Sequence, residues 1–173
     1  MSKKQKSYSK ELWWYVAVHE AAHAVVGRKL GLRCGKVTLE HEERTRFWRD
    51  DHGVFKWAPD GESIAHAELS ARWYPRREGD QREADEAYVT ALYAGHEAER
   101  VICGEAKGND VHDRENAAKV IGDDPELEAE LRARARTVVI AHRADIEMIA
   151  TALLERRTLF GGEVHVMLAM DRN

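Results

Sequence analysis

Residues 12–31 read LWWYVAVHEAAHAVVGRKLG. Leu12, Tyr15, Val16, His19, His23, Val26 and Leu30 recur at steps of one, three or four, the period of one face of an α-helix. Ser9 is placed to cap the start, Glu11 suits the first turn, and Gly31 stops the pattern. Inside the helix, His19-Glu20-Ala21-Ala22-His23 is an HExxH pattern. Residues four apart lie on one face, about 5–6 Å between Cβ atoms. Two imidazoles so spaced can bind one Zn²⁺ at roughly 2.0–2.1 Å from each nitrogen. Glu20 projects from nearly the same side, close enough to accept a proton from a water that such an ion activates. One buried histidine is commonly a satisfied core residue. Two inward histidines with a glutamate beside them all need partners, and a metal supplies one.

Working outward, Val37 and Leu39 alternate with Lys36, Thr38 and Glu40, which predicts a strand, and His41–Asp51 reads as a polar loop or hairpin tip. Gly53–Pro59 (GVFKWAP) reads as a second strand that Pro59 ends and confines to a sheet edge. Ser63–Ala84 is heavily charged, and Arg72–Asp80, with Pro75 and Gly79, is expected to be a loop. A second long helix is predicted from Gln81 to Cys103, closed by Gly104. A third is predicted from about Asp113 to Gly122. A fourth is capped by Asp124 with Pro125 in its first turn and runs to about Arg157, with a break near Ala141–Asp145. A short last helix follows Gly161 and Gly162. The expected class is mainly α (α+β), with a small sheet of about two to three strands.

The chain has 173 residues, the length of one domain, here taken as residues 9–173 after a disordered segment 1–8. Its net charge of −4 gives no overall basic field for nucleic acid. No apolar run approaches the roughly 20 residues of a membrane span, and no signal-peptide core follows the basic start. Cys34 and Cys103 have no ligand spacing and read as reduced thiols of a cytoplasmic protein. No GxxxxGK[ST] phosphate loop is present.

A catalytic zinc wants a third protein ligand and one open position. HExxH does not say which residue supplies the third. His96, Glu97 and Glu99 on the second long helix and Asp110, His112 and Asp113 near the next helix start are all candidates. Glu97 and Glu99 read equally as a solvated helix face, and Asp113 as an acid favourable to a helix N-terminus.

These segments resemble the peptidase domain of FtsH-type ATP-dependent zinc proteases. Residues 15–27 (YVAVHEAAHAVVG) are similar to that family's HEAGH helix, with Ala22 in place of a glycine. Residues 36–39 (KVTL) resemble the strand after it, and residues 53–59 resemble its edge strand. Residues 94–104 (AGHEAERVICG), 113–118 (DRENAA) and 153–159 (LLERRTL) resemble later motifs of the family, in the same order. The resemblance covers about residues 12–166 and implies a helical zincin-like peptidase domain. It implies His19, His23 and Asp113 as zinc ligands and Glu20 as catalytic base. Asp113 is preferred over Asp110 because the Ala117-Ala118 pair follows it at the family's offset, and Glu99 is the next candidate.

The implied activity is that of a zinc metalloendopeptidase acting on an extended polypeptide. The peptide would add a strand at Gly53, Val54, Phe55, Lys56 and Trp57. Phe55 and Trp57 share one side by period two, where core packing is the ordinary role. With neither the family's ATPase domain nor its anchor within the 173 residues, the substrate is expected to be already unfolded, flexible or delivered by a separate ATPase. A homo-oligomer is a further expectation from the family's rings. The alternative is an inactive or regulatory peptide-binding module that keeps the peptidase fold.

Overall fold

The HExxH helix forms where its period requires it. In a computed structural model, which describes residues 9–40, 42–49, 55–63, 65–73, 81–107 and 110–170, α1 spans Lys10–Lys29. The Ser9 hydroxyl accepts the Leu12 N–H at 3.2 Å, and Gly31 takes φ 88° just past the last turn. That left-handed conformation suits glycine because no Cβ opposes it. From Ala17 to Gly27 every residue but the half-buried His19 is buried, so the helix is enclosed nearly all round. Its alanines let neighbours approach closely.

The chain continues through β1 (Leu32–Thr38), β2 (Glu42–Arg49), β3 (Phe55–Ser63) and β4 (His66–Trp73). Five helices then follow: α2 (Gln81–Ala98), α3 (Val111–Ile121), α4 (Pro125–Ala141), α5 (Arg143–Arg156) and α6 (Gly161–Met170), with β5 (Thr158–Leu159) before the last. The fold is mainly α with a small antiparallel sheet ordered β4-β1-β5, and β2 and β3 form a separate two-stranded antiparallel sheet. Residues 1–8 lie outside the described residues.

The sheet differs from expectation in three places. His41–Asp51, read as a loop, contains β2. Pro59 does not end its strand: β3 continues to Ser63, and Pro59 pairs with Thr45 next to a register shift. A proline without an N–H is tolerated at such an irregularity, and in a two-stranded sheet each strand is an edge. Part of the charged stretch after Ser63 is β4, whose antiparallel register with β1 runs from Thr38↔His66 to Leu32↔Trp73. Its sequence alternates His66, Glu68, Ser70 and Arg72 with Ala67, Leu69, Ala71 and Trp73, the two-residue period of a strand.

The main core joins α1, β1, α2, α5, β5 and α6 through Val18, Val25, Leu32, Val37, Ala91, Ala94, Ile146, Ile149, Leu153, Leu159 and Val164. A second cluster, Val89, Leu92, Tyr93, Ala117, Leu131 and Ala135, joins α2, α3 and α4. The expected break in the long C-terminal helix falls at His142, between α4 and α5. β5 is tied to β1 through Arg157, whose carbonyl accepts the Leu39 N–H at 2.8 Å while its guanidinium donates to the Leu39 carbonyl at 2.9 Å. Among the described residues, no helix is long and apolar enough to cross a membrane.

Candidate metal centre

α1 and α2 pass each other so that His19 lies by Gly95 and His23 by Ala91. The fit at Gly95 is tight: a Cβ there would stand 2.6 Å from His19 Nε2. The two imidazole rings meet edge to face, 4.6 Å between centroids with planes at 82°.

Each ring is held through its Nδ1. His23 Nδ1–H donates to the Ala91 carbonyl at 2.8 Å, and His19 Nδ1–H donates to Glu99 at 2.7 Å. With Nδ1 occupied as a donor, the neutral tautomer leaves the Nε2 lone pair free, which is the form that binds a metal. Glu99 is almost fully buried, and its other oxygen accepts the Lys107 N–H at 2.7 Å. It sits in a π-helical turn, Glu99–Cys103, that extends α2 until Gly104 at φ 89° ends it.

α3 brings the third group. Asp113, in its first turn, places Oδ2 3.3 Å from His19 Nε2 and 3.6 Å from His23 Nε2. One ligand atom from each of the three residues lies within 4.8 Å of the others, and among the described residues this group can hold a metal ion. Bonds of roughly 2.0–2.1 Å in tetrahedral geometry separate ligand atoms by about 3.3–3.4 Å. The two distances to Asp113 are therefore close to what a single ion between these atoms requires.

The charges agree with the geometry. Burial opposes ionisation of Asp113, but His23 and His19 outweigh it and hold its carboxyl below the usual range. Burial likewise opposes a proton on His19, but Asp113 and Glu99 raise its pKa to about 10. Glu20 is 8% exposed, and burial raises its pKa against the pull of His19, His23 and His66.

The other candidates are engaged elsewhere. Glu99 stands behind His19, on the Nδ1 side, rather than where the Nε2 atoms converge. Glu97 is buried against Arg100 and Arg136, at 3.2 and 3.5 Å. Asp110 lies 3.7 Å from His96 Nδ1 and 3.5 Å from Arg132. His112 is 42% exposed beside Glu115. Of the expected peptide-binding residues, Gly53 and Val54 lie outside the described residues. Phe55, Lys56 and Trp57 fall in β3, in the two-stranded sheet.

Sequence reasoning missed three contributors. The Ala91 carbonyl is a backbone group and has no sequence signal. Gly95 matters because it has no side chain. β4 packs on α1 and α2 as an outer strand of the three-stranded sheet, and the alternation of Ala67, Leu69 and Ala71 with His66, Glu68 and Ser70 was its signal.

No protein-family model matches the chain, and no curated protein matches its sequence.

Proposed function

We propose that this protein is a zinc-dependent endopeptidase that hydrolyses peptide bonds in unfolded or flexible segments. The observation that carries the reading is the convergence of His19 Nε2, His23 Nε2 and Asp113 Oδ2, with both Nδ1 atoms already engaged and the buried Glu20 one residue from the first ligand. Two imidazoles and one carboxylate form a donor set that zinc accepts, with a fourth position left for chemistry. Zinc, when bound, supplies the Lewis acidity that polarises a carbonyl and makes water acidic near neutral pH.

Glu20 is the proton carrier. Its pKa, raised by burial, moves towards the range in which a carboxylate accepts a proton from water and returns it to the leaving amine. Two strand edges could take the substrate backbone: β3, which holds Phe55, Lys56 and Trp57 of the expected residues 53–57, and the outer edge of β4, which we favour. β4 belongs to the sheet that packs on α1, and His66 at its start acts electrostatically on Glu20. A peptide added as a strand is held by main-chain hydrogen bonds and must be extended, so folded domains are poor substrates.

Glu20→Gln tests the reading. The variant should keep zinc and its circular dichroism spectrum while losing cleavage of casein by about 100-fold or more. Turnover equal to the parent would remove Glu20 from the chemistry, and a parent that binds zinc but cleaves nothing would leave a binding module.

A further inference from the structure

We propose that Lys107 is a positioning residue of the candidate metal centre. Its side chain docks the 104–107 loop on α1, which keeps its own backbone N–H on Glu99 and so keeps Glu99 on His19. The inference rests on the metal-binding part of the reading above and not on the cleavage part.

Gly104 ends the π turn at φ 89°, and residues 105–107 form neither helix nor strand. Within this irregular segment the Lys107 N–H donates to one Glu99 oxygen at 2.7 Å, while the other oxygen accepts the His19 Nδ1–H at 2.7 Å. A backbone group outside regular structure holds such a place only where side chains fix the segment.

The Lys107 side chain supplies that fixing. Its ammonium donates to Glu11, in the first turn of α1, at 2.8 Å and pairs with Glu105 at 3.2 Å. It also lies over the Tyr15 ring, 4.5 Å from the centroid. Tyr15 is buried, and its hydroxyl donates to the Cys103 carbonyl at 3.4 Å, at the end of the π turn. Tyr15 stands four residues before His19, one turn earlier on the same face of α1. The contacts therefore close a ring. It runs from Tyr15 and Glu11 to the Lys107 ammonium, along that residue to its N–H, through Glu99 to His19, and back along α1.

Magnitudes decide what the ring does. Glu11 and Glu105 are exposed, and exposed ion pairs contribute little to global stability, as does an exposed cation over an aromatic face. Orienting a ligand is a different matter: loss of the partner behind a metal-binding histidine lowers metal affinity by about 10- to 100-fold. Lys107 thus acts on metal affinity more than on folding.

Lys107→Ala keeps the backbone N–H and removes the dock. Zinc affinity, read by competition with a chromophoric chelator, should fall by about tenfold, while the metal-free melting temperature stays within about 2 °C of the parent. Lys107→Arg returns a cation to Glu11 and Tyr15 and should restore affinity to within about threefold of the parent. In the Glu99→Gln background, Lys107→Ala should change affinity by less than about twofold, because the path it acts through is already broken. Equal affinity of parent and Lys107→Ala would overturn the assignment. So would a fall of the same size in both backgrounds, or one that Lys107→Arg does not reverse. Because the readout is binding, a protein that holds zinc but cleaves nothing would sink the peptidase reading and leave this assignment to stand on its own result. A parent that binds no zinc would remove the metal centre and the role of Lys107 together.

Discussion

His19 is held from two sides. Its Nε2 faces Asp113 and its Nδ1 is fixed by Glu99, while a β-carbon at position 95 would collide with the ring. Among the described residues, each Glu99 oxygen accepts a donor: one the His19 Nδ1–H, the other the Lys107 N–H. An amide at position 99 has only one acceptor oxygen and cannot serve both. It also lacks the negative charge that makes the imidazole a better ligand. Glu99→Gln should therefore reduce zinc affinity by about 10- to 100-fold, read by competition with a chromophoric chelator, with helical content unchanged. Affinity equal to the parent would show that Glu99 only anchors the loop at Lys107.

At the scale of elements, the helices owe their ends to single residues. α4 begins at Asp124, whose carboxylate accepts the Leu127 N–H at 3.0 Å, with Pro125 in the first turn. α4 also carries Leu131 and Ala135 into the cluster that backs α3. Asp124→Ala should cost about 1 kcal/mol and lower the melting temperature by about 2–4 °C in a chain of this size. A change within error would mean that packing alone starts the helix. Such ends were legible in the sequence because capping is local chemistry: Ser9, Gly31, Gly104, Asp124 and the break near His142 all lie where the residue types place them. The same locality explains what was not legible. A π turn closes i to i+5 bonds and has no residue signature, so the orientation it gives Glu99 could not be read. Six residues competed for the third ligand because that choice depends on how α3 packs against α2. β4 was masked by its charges, which hid a two-residue alternation inside a stretch rich in loop formers. His19 and His23 were legible because four-residue spacing is a property of one helix.

For the molecule as a whole, the His19, His23 and Asp113 group that could hold a metal joins α1, α2 and α3, so filling it should report on global stability. In the metal-free protein His19 is a histidine with a raised pKa, about 10. The stability that this shift contributes is complete below the unfolded value, about 6.5, and is lost as pH rises through about 10. A metal must displace that proton, so its affinity moves in the opposite sense and rises with pH across the neutral range. One displaced proton changes the binding free energy by about 1.4 kcal/mol per pH unit. Because an ion that binds the folded chain stabilises it by mass action, that difference appears in the melting temperature. Added zinc at fixed excess should raise the melting temperature more at about pH 8 than at about pH 6, by roughly 2–4 °C per kcal/mol. Chelation should return both samples to their metal-free values. A zinc-induced shift that is the same at both pH values, or larger at the lower one, would mean that the ion does not displace a proton from His19, and would move the binding site away from the His19, His23 and Asp113 group.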